Sequence, residues 1–276
     1  MKNEIFNQRE SFNFLQPFLV DPIDYSVLEA EFNGDYVEVL KSKSGAIYKQ
    51  TPSFLQLMVK KDFAEMHYGK ENHRKWELLQ SEAEKSYKVR EKGHFSVDSY
   101  TPSIRFGEVL SDFSPKFCLD VGCGKLKKPV YMKASKSTQF VGIDPMDIVT
   151  ERSFPFVRAA AGFLPFKAKS FDCVMFPSSL DHVINPKRAL EEAHRILKKG
   201  GTLLIVETIR TGVSGFDSWR RKAAFCPLKV SRFNKHHNWA FNEKLLIGCV
   251  KDSGFEVKSF NMIHESSEGL VIAGKI

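Results

Sequence analysis

The chain has 276 residues, a formal net charge of +8, 42% hydrophobic residues and 27% charged residues. This composition is typical of a globular protein with one large domain, or one domain plus a smaller unit. The first twenty residues do not resemble a signal peptide, and no uncharged apolar run approaches the roughly 18 residues of a membrane span, so we expect a cytoplasmic protein. Five scattered cysteines without a CxxC pair argue against a disulfide framework or a zinc site.

The basic charge leaves two interpretations open. The lysines and arginines are spread along the chain, which favours a generic solvated surface. An anionic partner or acceptor is the alternative, although no nucleic-acid-binding motif accompanies the charge. Nucleic acid is therefore a disfavoured partner, and oligomeric state is left without a prediction.

The N-terminal third divides into three predicted segments. Residues 1–18 are expected to be loosely ordered. Residues 19–57 predict a small β unit, because Asn33-Gly34 is a typical hairpin turn between apolar runs. Residues 58–99 predict a charged helical linker whose larger side chains, Trp76, Leu79 and Tyr87, anchor it to the rest of the chain.

Residues 100–276 predict the main domain. The short apolar runs "KFCLDV", "TQFVGID", "FDCVMF" and "GTLLIVE" predict buried strands. The stretch "NPKRALEEAHRILKKGG" predicts a helix that is capped by Asn185 and ends at Gly200 and Gly201. Strand–helix alternation implies an α/β fold with a mostly parallel sheet, and two alternating runs at the C-terminus predict an antiparallel pair at its edge.

Polar residues and glycines follow two of these strands. Asp120, Gly122 and Gly124 end the first strand, and Asp144 ends the second. Ligands bind outside the carboxyl ends of parallel strands, where glycines permit a tight turn and close approach of the backbone. An acid at the end of the second strand is placed to accept hydrogen bonds from ribose hydroxyls. A strand-end turn residue is the alternative role for Asp144.

These motifs, with "LPFKAKSFDCVMF" and "HRILKKGGTLLIVE", resemble class I S-adenosylmethionine-dependent methyltransferases, most closely the group called methyltransferase type 11. The resemblance implies a Rossmann-like seven-stranded sheet, mostly parallel with an antiparallel last strand, and S-adenosylmethionine as cofactor. The implied cofactor-binding residues are Asp120, Gly122, Cys123, Gly124, Asp144, Pro145, Ala161, Gly162 and Ser178. The family pattern usually has an aspartate for the adenine amine where this chain has Ala160, so backbone groups near Ala161 and Gly162 are expected to hold the adenine.

The stretch "FPSSLDHVINP" resembles the family motif that follows the fourth strand and faces the transferred methyl group. His182 and Asp181 are the candidate catalytic residues. A histidine can act as a base near neutral pH, and a neighbouring carboxylate can orient it. A structural histidine that closes the strand–helix turn is the alternative for His182.

Residues 208–240 form a long connection rich in aromatic and basic residues, which predicts a lid or substrate-binding insertion. His236, His237 and Trp239 are the candidate acceptor contacts, with aromatic packing of the lid as the alternative. Two adjacent histidines can bind a metal, but no acid is spaced near them in the sequence, so we expect no metal.

Residues 19–57 also resemble a small zinc-ribbon-like domain that activates some RNA and protein methyltransferases. The four cysteine positions of that pattern hold Asp21, Asp24, Lys41 and Ser44, so the shape is expected without metal.

Three functions follow from these resemblances. The leading one is methyl transfer to oxygen or nitrogen of a small molecule, glycan or lipid-linked sugar. Methylation of RNA or protein is the second, and a non-catalytic module that keeps the methyltransferase fold is the third.

Overall fold

The computed structural model describes residues 5–89, 100–148, 150–210, 237–263 and 266–276. Its helices are α1 (Gln8–Leu15), α2 (Lys61–Tyr68), α3 (Lys70–Val89), α4 (Thr101–Phe113), α5 (Pro186–Ile196) and α6 (Glu243–Lys251). Its strands are β1 (Leu28–Asn33), β2 (Tyr36–Ser42), β3 (Ile47–Lys49), β4 (Leu55–Gln56), β5 (Phe117–Val121), β6 (Gln139–Asp144), β7 (Phe156–Arg158), β8 (Phe171–Pro177), β9 (Leu197–Thr208), β10 (Phe255–Met262) and β11 (Glu268–Lys275).

The main sheet has eight strands in the order β10-β11-β9-β8-β5-β6-β7-β4. Strands β4 to β9 pair in parallel, while β11 runs antiparallel to both β9 and β10. Seven of these strands come from residues 100–276, which confirms the predicted α/β fold with its mostly parallel sheet and antiparallel last strand. The central strands are buried because their side chains are apolar on both faces.

Helix α5 begins as predicted but ends early. The Asn185 side chain accepts a hydrogen bond from the Arg188 amide at 3.1 Å, and Pro186 occupies the first turn. The helix ends at Ile196 rather than at Gly200, because the chain from Leu197 onward already pairs with β8. Gly200 lies inside β9 with a φ of 74°.

The N-terminal unit is a three-stranded antiparallel sheet, β1-β2-β3, followed by a strand of the main sheet. Strand β4 pairs in parallel with β7, with Leu55 opposite Val157. Val37, Leu40 and Tyr48 share one buried cluster with side chains of the main domain. The small β unit therefore packs directly on the main sheet.

Polar side chains occupy the positions where the zinc-ribbon-like pattern has cysteines. Asp21 accepts hydrogen bonds from the Ile23 amide at 2.7 Å and from the Tyr48 hydroxyl at 3.1 Å. The pKa of Asp24 is lowered by a hydrogen bond from Ser44. The likeness of this unit to a zinc ribbon stays a prediction.

Part of the segment expected to be loosely ordered forms helix α1. Asn7 and Glu10 form a capping box at its start, in which each side chain bonds the other residue's amide at 2.8 Å. Phe12 and Leu15 are buried in the main cluster, and the buried Gln8 side chain bonds the backbone of Val37. Burial of this apolar face offsets the entropic cost of ordering the segment. No helix among the described residues is long and apolar enough to cross a membrane.

Candidate active site

A cavity of about 940 Å³ opens at the carboxyl ends of β5, β6, β7 and β8. Its volume is at the upper end of the roughly 300–1,000 Å³ that is typical of ligand pockets. The loops after these strands form one wall, and helices α2 and α3 form another. The cavity therefore has room for a cofactor together with an acceptor.

The loop after β5 is shaped by its glycines. Gly122 and Gly124 have φ values of 82° and 61°, which favour glycine. A Cβ atom on Gly122 would lie 2.5 Å from the Cβ atom of Ser179, and the Ser179 hydroxyl donates to the Val121 carbonyl at 2.5 Å. The amides of Gly122 and Cys123 donate to the Ile143 carbonyl, so this loop offers a ligand its shape rather than these amides.

Asp144 lies at the end of β6 and lines the cavity. One carboxylate oxygen accepts from the Met146 amide at 2.9 Å, and the other accepts from the Gly124 amide at 2.9 Å. Burial raises the pKa of Asp144, although these two amide bonds oppose the shift. A carboxylate has about four acceptor sites, so each oxygen keeps one for a ligand hydroxyl.

Asp120 is fully buried behind the cavity wall and does not line it. Tyr131 lines the cavity, and its hydroxyl donates to Asp120 Oδ2 at 2.6 Å, while Asp120 Oδ1 has no hydrogen-bond partner. Burial raises the pKa of Asp120 to about 7, against the opposing bond from Tyr131. Asp120 thus contacts the site through Tyr131.

The other predicted cofactor residues lie along the same cavity. They are Cys123, Pro145, Ala161, Gly162 and Ser178, and Ala160 lies among them. Ser178 has a φ of 56°, a strained value for a residue other than glycine, where the chain turns from β8 toward His182.

Asp181, His182 and His237 meet at the far side of the cavity. The rings of His182 and His237 stack, with their centroids 4.5 Å apart and their planes at 28°. Asp181 lies behind the rings, with one oxygen in a close contact with His237 Nδ1 and the other 3.5 Å from His182 Nε2. Burial would raise the pKa of Asp181, but the nearby imidazoles of His182 and His237 outweigh it and lower that pKa.

The same three residues are compatible with a divalent cation. One ligating atom from each residue lies within 4.8 Å of the others.

Glu207 is a buried carboxyl beside this cluster. Its Oε1 accepts from the Leu180 amide at 2.6 Å and from the Asp181 amide at 3.3 Å. Burial and the negative charge of Asp181 raise the pKa of Glu207 well above its usual range. The pKa values of the two acids are therefore shifted in opposite directions, and Asp181 is the stronger acid.

The structure separates the predicted acceptor residues. His237 lines the cavity, whereas Trp239 does not. The Trp239 indole donates to the Val183 carbonyl at 3.0 Å and packs against the core. Residues 211–236 of the predicted lid, which include His236, lie outside the described residues.

Several cavity residues carried no functional signal in the sequence. They are Tyr68, Tyr100, Lys125, Tyr131, Thr208, Ser266, Ser267 and Glu268. Tyr100 donates to Glu268, and Ser266 donates to the same carboxylate at 3.0 Å. No local pattern predicts these residues, because they come from distant parts of the chain.

The cavity fits S-adenosylmethionine on three observations. The backbone turn at Gly122 leaves no room for a side chain, Asp144 lines the cavity with acceptor capacity left on its carboxylate, and His182 and His237 line the same cavity. Together with the strand order, these features define a class I S-adenosylmethionine-dependent methyltransferase. The chain belongs to the methyltransferase domain family, whose model matches residues 103–259.

Two curated relatives show how far sequence similarity extends. The tRNA (carboxymethyluridine(34)-5-O)-methyltransferase alkbh8 of Xenopus tropicalis is 36% identical over 122 residues, which are 41% of this chain and 19% of that protein. The ubiquinone/menaquinone biosynthesis C-methyltransferase UbiE of Haemophilus ducreyi is 35% identical over 97 residues, which are 35% of this chain and 37% of that protein. The chain thus matches well under two thirds of the length of either relative.

Solved structures share the fold at low sequence identity. The 1,6-didemethyltoxoflavin-N1-methyltransferase of Burkholderia thailandensis, with bound 1,6-didemethyltoxoflavin and S-adenosylhomocysteine, has a TM-score of 0.57 at 16% identity and covers 74% of this chain and 90% of its own. A possible histamine N-methyltransferase of Thermotoga maritima has a TM-score of 0.50 at 21% identity and covers 73% and 100%.

Proposed function

We propose that this S-adenosylmethionine-dependent methyltransferase methylates an oxygen or nitrogen atom of a small molecule, glycan or lipid-linked sugar. The observation that supports this most is that two stacked imidazoles face the same cavity as the cofactor loop. Polar groups from Thr208, Ser266 and Glu268 line that cavity as well. An acceptor with several hydrogen-bonding groups would be recognised there, whereas an entirely apolar acceptor would leave these groups unpaired.

The cofactor supplies a methyl group on a positively charged sulfur. Asp144 would hold the ribose, and the turn at Gly122 would hold the amino-acid tail. The walls from α2 and α3 would exclude water and align the acceptor, which supplies much of the rate in methyl transfer.

An alcohol or amine acceptor must also lose a proton. Asp181 is ionised and can only accept hydrogen bonds, so His237 Nδ1 carries the hydrogen and His237 Nε2 is left to take a proton. The longer distance to His182 gives that ring a weaker link to Asp181. We therefore assign the base to His237, with His182 stacked against it, in place of the predicted His182.

Paired variants test this assignment. With a responsive acceptor, His237→Ala should slow turnover by about 10²-fold or more, and His182→Ala by less. Asp181→Asn should also slow turnover, while binding of S-adenosylhomocysteine stays unchanged in all three. A larger loss for His182→Ala than for His237→Ala would return the base to His182.

RNA methylation is the second candidate. It is supported by the relative named as a tRNA methyltransferase and by the net charge of +8. Incubation of the protein with radiolabelled S-adenosylmethionine and cell-extract fractions separates the candidates. Label in an extractable small-molecule or glycan fraction supports the leading proposal, whereas label that ribonuclease or protease releases supports RNA or protein. Labelling equal to that of Asp144→Ala in every fraction would argue against an enzyme.

A further inference from the structure

The adenine end of the cavity can be located from the strand order. The neighbouring strands of the sheet are ordered β8-β5-β6-β7. Asp144 ends β6, and the imidazoles of His182 and His237 lie beyond β8. The methyl group must face those imidazoles. The adenine lies on the other side of the ribose and therefore extends toward the loop after β7. That loop is residues 159–163.

The loop after β7 offers no polar side chain to the adenine. It reads Ala159-Ala160-Ala161-Gly162-Phe163, and all five residues line the cavity. Adenine has hydrogen-bonding atoms along its edge, and leaving them unpaired in a buried site costs free energy. Backbone groups of the loop can meet part of that edge, and a polar side chain from another element can meet more of it.

Tyr68, the last residue of α2, reaches this loop. It lines the cavity, and a Cβ atom on Gly162 would lie only 1.9 Å from the Tyr68 hydroxyl oxygen. The Tyr68 ring also packs against Phe163, with centroids 5.5 Å apart and planes at 62°. The absent side chain of Gly162 therefore makes the space that the Tyr68 hydroxyl occupies.

Arg188 holds the loop that faces Tyr68. Its Nε donates to the Gly162 carbonyl at 2.8 Å, and its guanidinium lies 4.5 Å from the Phe163 ring centroid. Burial raises the pKa of Tyr68, and the positive charge of Arg188 opposes the shift without reversing it, so the hydroxyl is neutral. A neutral phenol keeps its O–H hydrogen, so the Tyr68 hydroxyl can donate a hydrogen bond to a ligand in the cavity.

We propose that the Tyr68 hydroxyl recognises the adenine of the cofactor by donating a hydrogen bond to ring nitrogen N1. Helix α2 thereby supplies a polar side chain to the adenine edge, where the loop after β7 has only Ala160 at the position of the family's aspartate. Tyr68 would determine selectivity for adenine, and the helix pair would form part of the cofactor site. This inference rests on the proposed function in placing the methyl group beside the imidazoles, but it does not depend on which acceptor is methylated.

Calorimetric titration tests the contact without any turnover. The probes are S-adenosylhomocysteine and its 1-deaza analogue, in which a carbon replaces N1. Tyr68→Phe should weaken binding of S-adenosylhomocysteine by about 3- to 10-fold, the value of one hydrogen bond, and leave binding of the analogue unchanged. Tyr36→Phe, on β2 and outside the cavity, is the matched control and should change neither. Unchanged binding of S-adenosylhomocysteine, or an equal loss for both probes, would overturn the proposal.

A double-mutant cycle gives an independent test. Gly162 is outside the left-handed region, so alanine is allowed by the backbone, but its methyl group would displace the Tyr68 hydroxyl. Gly162→Ala should weaken binding of S-adenosylhomocysteine by at least as much as Tyr68→Phe. In the Tyr68→Phe background the colliding oxygen is gone and the nearest ring carbon is 3.3 Å away, so the same alanine should cost clearly less. An equal cost in both backgrounds would contradict the proposal.

Discussion

Asp144→Asn is the sharpest test of the cofactor site, because the substitution keeps the shape of the side chain. In the protein, the two carboxylate oxygens accept from the amides of Met146 and Gly124. Asparagine has one oxygen, so one of these amides would face an NH₂ group. A buried donor without a partner costs about 1–3 kcal/mol. At roughly 2–4 °C per kcal/mol, we expect the midpoint of thermal unfolding to fall by several degrees.

Cofactor affinity should fall as well, for a separate reason. The ribose hydroxyls would lose a charged acceptor, and a loss of about 1–3 kcal/mol corresponds to roughly 5- to 150-fold weaker binding. Asp144→Ala should weaken binding in the same range. Calorimetric titration with S-adenosylhomocysteine measures this directly. Asp147→Asn is the matched control, since that side chain is 55% exposed and pairs with Arg158 at 3.5 Å.

The two measurements together decide the role of Asp144. A lower unfolding midpoint with unchanged affinity would mean that Asp144 only ties the loop at Gly124 to β6. The ribose assignment would then be refuted, while the fold would stand.

Three further predictions concern other parts of the molecule. Gly122→Ala combines a positive φ with a 2.5 Å approach to Ser179, so we expect S-adenosylhomocysteine to bind at least about tenfold more weakly by calorimetry. Because the pKa of Asp120 is about 7 in the folded protein and 3.8 without its surroundings, the folded state holds the extra proton between these values. Unfolding free energy should therefore fall as pH rises from about 4 to about 7, by up to about 1.4 kcal/mol per pH unit, and urea titrations of Asp120→Asn should lack this contribution. Phe12→Ala should lower the unfolding free energy by about 3 kcal/mol in urea, because Phe12 is buried in the shared core, and a loss near zero would show that α1 is not coupled to it.

The sequence predicts the main sheet well because its signals are local. The apolar runs that become β5, β6 and β8 are short and bounded by polar or turn residues, and Asn185 caps α5 as its residue type indicates. The positions of Asp144 and Gly122 follow from the same logic, since a residue at the end of a parallel strand must lie at the edge where ligands bind.

The remainder of the site depends on contacts between distant residues. Tyr68 meets Gly162, and Asp181 meets His237, only because helices and loops from separate parts of the chain converge. Trp239 is of a residue type that often contacts an acceptor. Its indole N–H nevertheless donates to the Val183 carbonyl, and its ring packs on the core. The order of α1 has the same origin, because its buried face is useful only against the N-terminal sheet and the main core.

The parallel pairing of β4 with β7 has a practical consequence for dissecting this protein. A chain shortened to residues 100–276 would retain every family motif, but it would leave the backbone groups of β7 open along one side. Unpaired edges of this kind recruit other strands, so the shortened chain should self-associate unless that edge is capped. We therefore expect the segment before residue 100 to limit self-association by covering β7, in addition to forming a wall of the cavity.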